Sequence, residues 1–362
     1  MPTPPPRERI AALRERIEAL ARRLDGRLVR LMEVCGTHTM ALFRSGIRPM
    51  MPPNVKLLSG PGCPVCVTPM GVVDAAIALA ENPSIILATF GDMVRVPGSR
   101  SSLERAKAAG ADVRVVYSPL DALRLAEGNP DHTVVFFAIG FETTAPTVAA
   151  CVLYAHQKNL SNFLFLVAHK LIPPAMEAIL KGGDVAVDGF ICPGHVSVTT
   201  GAAAFEPLAR RYGVPCVVTG FEAEDILEGI GMLLAQLAEG RAEVEIQYKR
   251  WVSREGNTRA RARMAEVFNV CDAVWRGLGV IPASGLELRP QFRHLDALET
   301  LGVRVPPEIE NPGCRCGDVL RGKIEPPQCP LFATTCTPSN PLGPCMVSSE
   351  GTCAAFFKYG ER

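Results

Sequence analysis

Between residues 27 and 250 the chain alternates short apolar runs with helical segments. "RLVRLMEV", "VKLLSG", "SIILATF", "DVRVVY", "HTVVFFAIG", "FLFLVAH", "VDGFICPG" and "PCVVTGF" are rich in branched and aromatic residues and bounded by turn formers. "GVVDAAIALA", "SLERAKAAG", "APTVAACVLYAHQ", "PAMEAILKG", "AAAFEPLARRYG" and "EDILEGIGMLLAQLAEG" lie between them and read as helices. Strands that alternate with helices cannot be joined by hairpins. They require crossovers, and hence parallel sheets covered on both faces. The predicted fold class is α/β.

The length of 362 residues suggests more than one domain. Residues 1–26 predict an N-terminal helix, 27–130 a first α/β domain, 131–250 a second, and 251–362 a helical, cysteine-rich domain. In the N-terminal helix Ile10, Leu13, Ile17, Leu20 and Leu24 form a narrow apolar seam, expected to pack on the rest of the chain rather than on a partner helix. "TRARARMAEVFNVCDAVWRGLG" reads as helix. Beyond it, "NPGCRCGD", "EPPQCPLF" and "TPSNPLGPC" are too dense in proline and glycine for a large core of their own.

A net charge of +1, with both signs intermingled, offers no footprint for nucleic acid or an anionic membrane. No apolar run is long enough to span a bilayer, and the first residues lack the apolar core of a signal peptide, so the cytoplasm is the expected compartment. The 13 cysteines are then expected to be metal ligands or reactive thiols rather than disulfides.

Six of them, Cys314, Cys316, Cys329, Cys336, Cys345 and Cys353, lie in the loop-rich tail, with 1, 12, 6, 8 and 7 residues between neighbours. A metal that cross-links loops would stabilise such a segment. No pair of tight knuckles of the structural-zinc type is present, whereas an iron–sulfur cluster accepts wider spacings. Cys314, Cys329, Cys336 and Cys353 form a plausible 4Fe–4S set, and Cys316 and Cys345 are alternates. Zinc with scattered ligands stays open.

Near the front, Cys63-Pro-Val-Cys66 follows a strand and precedes a helix, a setting for redox-active thiols. Gly60 and Gly62 ahead of it allow close backbone approach. Cys35, also at a strand end, could add a third thiolate for a soft metal. His38 lies three residues later, and Thr37 and Thr39 offer hydroxyls. His195, in "CPGHVSVTTG", occupies a similar strand-then-glycine setting. "ATFGD", "AIGFE" and "VTGFE" place Asp92, Glu142 and Glu222 just after strands, as a polar rim or as helix-initiating acids. Cys192 is the weakest cysteine candidate, and Cys151, Cys216 and Cys271 read as inert core thiols. No G-x-x-x-x-G-K phosphate loop occurs.

"CGTHT", "GPGCPVC", "GFETT", "PGHVS" and the tail cysteines, in this order, resemble the HypD family of [NiFe]-hydrogenase maturation proteins over residues 27–360. The resemblance implies two α/β domains facing a cleft, and a third that bears a 4Fe–4S cluster. It implies a redox-active assembly scaffold rather than a turnover enzyme. That scaffold works with the small chaperone HypC and with HypE, the carrier of the cyanide precursor. Its cargo is one Fe(II) that acquires two cyanides and one carbon monoxide. Carried over by position, Cys35 would bind the iron and Cys63 and Cys66 would be the redox pair beside it. Cys314, Cys329, Cys336 and Cys353 would hold the cluster. Glu142, His38 and His195 could hydrogen-bond the cyanide nitrogens or move protons. Electrons would pass from cluster to thiol pair to iron. The competing readings are an iron–sulfur-fed thiol–disulfide oxidoreductase, which leaves Cys35 and His38 without a task, and an interaction protein with a zinc-stapled tail.

Overall fold

The computed structural model describes residues 6–309 and 312–360. Its strands are β1 (Val29–Glu33), β2 (Val55–Ser59), β3 (Ile85–Thr89), β4 (Asp112–Val115), β5 (Thr133–Ala138), β6 (Phe163–Val167), β7 (Gly189–Pro193), β8 (Cys216–Thr219), β9 (Val244–Ile246), β10 (Phe268–Trp275) and β11 (Gly279–Leu288). Two parallel sheets result, in the orders β2-β1-β7-β8-β9 and β4-β3-β5-β6. The mixed α/β class is therefore as expected. β9, only three residues long, was not apparent in the sequence.

The expected boundary at residue 130 needs correction. β3 pairs with β5, and β1 pairs with β7, so the four strands of residues 85–167 form one sheet inserted between strands of the other. Apolar periodicity identifies strands but carries no information on which of them become neighbours.

Each sheet has a point where the strand order reverses: between β1 and β7 in one, between β3 and β5 in the other. Ligand crevices in parallel sheets open at the carboxyl ends of strands at such points. The turns that emerge there carry "CGTHT" after β1, "PGHVS" after β7, "FGD" after β3 and "GFE" after β5.

Side chains alternate across both sheets. On β5, Val135 and Phe137 face one apolar cluster and Val134, Phe136 and Ala138 another. The first cluster joins the sheets: it combines Met32 and Leu58 with Leu87 and Phe137. Cys345, Met346 and Val347 of the tail belong to it and are buried. Hydrophobic burial thus holds part of the tail, where the sequence pointed to metal alone.

The helix Pro6–Arg22 packs on the helix Ala223–Ala238, with Ile17, Leu20 and Leu24 against Ile226, Ile230, Leu233 and Leu234. Its seam is buried within the chain. The segment read as one helix over 258–279 divides. Thr258–Val267 is helical, and Phe268 begins β10, which pairs antiparallel with β11. Buried Phe268 and Trp275 anchor the hairpin, and the Trp275 indole N–H donates to Ser284 Oγ at 2.8 Å. No helix among the described residues is long and apolar enough to cross a membrane.

The three strand-end acids have separate fates. Glu222 caps the helix Ala223–Ala238 in a capping box, the helix-initiating alternative. Asp92 accepts the Ser348 hydroxyl at 2.9 Å. Glu142 is buried, accepts the Ile172 amide at 3.0 Å on Oε1 and leaves Oε2 without a partner. Burial pushes its carboxyl up from 4.5 to about 7, against the pull of backbone amides.

Two outcomes follow for stability. Ile17 is 1% exposed, so Ile17→Ala should cost ~2–4 kcal/mol in urea unfolding, and a change below ~0.5 kcal/mol would contradict the packing. Glu142 has a raised folded-state pKa, so its contribution is fully present below the unfolded value of 4.5 and is lost as pH rises through about 7. Glu142→Gln should remove a loss on the order of 3 kcal/mol between about pH 5 and 8. Parallel pH profiles of the two proteins would contradict it.

Candidate functional site

Cys35 stands where β1 gives way to the helix Gly36–Arg44 and is its N-cap. The turn after β2 lies directly on it. Gly36 N–H donates to the Gly62 carbonyl at 2.9 Å, and a Cβ built on Gly62 would fall 2.0 Å from the Cys35 nitrogen. Only glycine permits that approach, and it brings Cys63 next in sequence to the contact with Cys35. Cys63 caps the turn Pro64–Val67 and Cys66 lies within it; they are 3% and 1% exposed, with their sulfurs within hydrogen-bonding reach.

Burial pushes the Cys35 thiol up to about 12. The backbone amides of His38 and Thr37 pull it down, while Glu350 and Glu33 push it further up. Burial likewise raises Cys66 well above the ordinary thiol value. Both thiols therefore rest in the protonated form. A thiolate here needs a cation in the proton's place.

His38 is buried, with Nε2 2.9 Å from both the Gly220 carbonyl and Thr219 Oγ1, and with Nδ1 unpartnered. Burial holds it at about 4, hence neutral. Phe221 is stacked between His38 and His195, with ring centroids 4.7 and 3.9 Å away. Burial also lowers His195, opposed by the charge of Glu350. The turns after β1, β7 and β8 thus converge on one aromatic stack. Glu142 lies four residues past the end of β5, a strand of the other sheet, and accepts the Ile172 amide.

Three members of this neighbourhood were not singled out from sequence. Glu33, fully buried at the end of β1, accepts the Cys35 amide at 3.0 Å and the Thr39 hydroxyl. Burial raises it to about 7. An acid closing an apolar strand two residues before a candidate ligand was its only signal. Phe221 repeats the aromatic of "GFE". Glu350 accepts the Thr37 hydroxyl at 2.8 Å across 313 residues, a contact no local pattern reveals.

The tail sulfurs meet the front pair. Cys66 is within hydrogen-bonding reach of Cys345 and lies 3.9 Å from the Pro344 carbonyl. Cys345 in turn reaches Cys316 and Cys353, Cys353 reaches Cys316, and Cys316 reaches Cys314. Cys336 accepts the Leu342 amide at 3.4 Å. Cys329 is half-buried, and its carbonyl accepts the Phe332 amide at 3.0 Å. Of the four expected cluster ligands, Cys314 and Cys353 belong to the packed sulfur group, together with the alternates Cys316 and Cys345. Three anchors hold the segment: Arg95 to the Val347 carbonyl at 3.1 Å, Ser348 to Asp92, and Thr37 to Glu350.

Among the other thiols, Cys151 and Cys216 are core residues as expected, and Cys192 lies within reach of Cys216. Cys271 is only half-buried on β10, because the hairpin replaces the expected helix.

The tail's donor set fits an iron–sulfur cluster. All the described cysteines are free thiols, and bare Gly343 makes room at the group: a Cβ there would fall 2.6 Å from Cys314 Sγ and 2.7 Å from Cys316 Sγ. The sulfurs of Cys314, Cys316, Cys353 and Cys345 are neighbours in series. Among the described residues no three His, Cys, Asp or Glu side chains are already gathered around the position of a single ion.

Comparison with known proteins identifies the family. A family model described as "HypD: Hydrogenase formation hypA family" matches residues 8–360. The chain is 50% identical over 343 residues to hydrogenase maturation factor HypD of Azotobacter vinelandii, covering 93% of this chain and 90% of that one. It is 46% identical over 354 residues to hydrogenase maturation factor HypD of Escherichia coli K12, covering 98% and 95%. On matches of this extent, the chain belongs to the HypD family of hydrogenase maturation factors.

Proposed function

We propose that this maturation factor is the scaffold on which the Fe(CN)2CO centre of [NiFe]-hydrogenases is assembled, in complex with a HypC-type chaperone and a HypE-type cyanide donor. The observation that carries the reading is the convergence of Cys35, His38 and His195 at one sheet's switch point, with the Cys63–Cys66 turn packed on Cys35 and its sulfur meeting the tail.

The iron is cargo. Cys35 gives it a soft thiolate and releases the thiol proton as it does so. Neutral His38 keeps an unpartnered Nδ1 in the same crevice, an acceptor for a proton or a hydrogen bond. His195, on the far face of Phe221, is exposed and so is within reach of solvent. Glu142, neutral-leaning through burial, has a free Oε2 for a proton at the corresponding point of the other sheet.

The tail thiols hold a 4Fe–4S cluster in this reading. Cys314 and Cys353 are two of its ligands, and the other two come from Cys316, Cys329, Cys336 and Cys345. When bound, the cluster supplies electrons beside Cys66. Cys63 and Cys66 take up two electrons and two protons when a disulfide between them opens, and give them back when it closes. Their burial argues against a protein disulfide as substrate, since a second chain cannot approach sulfurs 3% and 1% exposed. That disfavours the oxidoreductase alternative.

The test is infrared spectroscopy of the complex co-purified anaerobically with its chaperone. Cyanide and carbonyl bands are expected in the wild type. Cys35→Ala should abolish them with cluster absorbance retained, and unchanged bands would overturn the reading. His38→Ala, Glu142→Ala and His195→Ala should each lower hydrogenase maturation at least tenfold with the cluster spectrum intact. Wild-type maturation in all three would remove them from the site.

A further inference from the structure

Glu350 lies in the tail between Cys345 and Cys353, yet its side chain belongs to the front site. Its Oε1 accepts the Thr37 hydroxyl at 2.8 Å. Its Cβ packs on the bare α-carbon of Gly36: a Cβ built there would fall 2.6 Å from Glu350 Cβ and 3.0 Å from the Glu350 carbonyl oxygen. The glycine and the first threonine of "CGTHT" are therefore the receptor for one tail residue. The Ser348 hydroxyl shapes the same turn by accepting the Glu350 amide at 3.2 Å while donating to Asp92. One end of the turn is Cys345, whose neighbour Pro344 covers Cys66.

We propose that Glu350 is a positioning residue: docked on Gly36 and Thr37, it seats the Cys345–Cys353 segment on the Cys35 turn and so keeps Cys345 in register with Cys66. This deepens the assembly reading and rests on it for its consequence, that the distance between the two sulfur groups is set at the iron-binding turn itself. A ligand or chaperone that displaces the Cys35 turn then also moves the cover over the thiol pair. The other two anchors, on Asp92 and Arg95, tie the segment to the second sheet's loop and do not register it on Cys35.

The contact is testable without iron or partner. In the full-length apoprotein, iodoacetamide modification of Cys63 and Cys66 is followed by peptide mass spectrometry. Glu350→Ala and Gly36→Ala should each raise the rate about tenfold, a shift of about 1.4 kcal/mol, within the range of a lost hydrogen bond. Thr37→Val should move it the same way. Glu350→Gln keeps an acceptor for Thr37 and should stay within about twofold of wild type. Thermal unfolding of Thr37→Val and Glu350→Gln guards against global effects.

Wild-type rates in Glu350→Ala and Thr37→Val would overturn the proposal. So would Glu350→Gln behaving like Glu350→Ala, since charge rather than docking would then matter. The infrared bands of the chaperone complex provide the second readout: they should weaken in Glu350→Ala and return in Glu350→Gln. If the alkylation rates respond as stated but Cys35→Ala leaves those bands unchanged, the docking stands and the assembly reading fails.

Discussion

The meeting of Cys66 with Cys345 is the contact on which the rest of the arrangement depends. It joins a turn fixed by a parallel sheet to a tail dense in proline and glycine. Such a tail cannot build its own core. It borrows one: Cys345, Met346 and Val347 enter the apolar cluster already shared by the two sheets. Burial of those three residues sets the height of the tail over the front thiols, and the polar anchors at Asp92, Arg95 and Thr37 set its rotation. Metal binding would complete this seating rather than create it.

The same burial sets the electrostatics. Cys35, Cys66, Glu33, Glu142 and His38 all shift toward their neutral forms, and in each case desolvation is the largest cause. Around Cys35 the buried thiols and His38 rest neutral, and Glu33 is pushed toward its neutral form. Entry of a cation inverts that balance locally: a positive charge favours thiolate and carboxylate over their protonated forms. On the proposed reading the front site would exchange protons for metal, and Glu33 and His38, which flank Cys35, would be the first groups to respond.

How much of this was legible follows from how local each signal is. Strands such as Phe163–Val167 announce themselves by composition, and "GPGCPVC" by glycines whose purpose, close approach to Cys35, could be anticipated. The pairing of β1 with β7 and of β3 with β5 could not, because the choice of neighbour is made by crossovers and by sheet faces far apart in sequence. "FNVCDAVW" was absorbed into the helix before it, although its alternation was available to be read. Glu33 left a faint trace, and Glu350 none, since its role exists only once residue 350 meets residue 37. In the tail, spacing favoured Cys329 and Cys336 over Cys316 and Cys345, whereas packing puts the latter pair at the centre of the sulfur group. Spacing measures chain, and a loop held by a borrowed core can fold back further than its length suggests.

The most direct measurement is disulfide trapping in the apoprotein. With Cys63 replaced by alanine, so that Cys66 loses its near partner, mild oxidation and peptide mapping would report which sulfur Cys66 finds. A Cys66–Cys345 crosslink is the result expected of a continuous sulfur group. A Cys66 that stays reduced while the tail thiols pair among themselves would show that front and tail do not meet, and the account would not survive it.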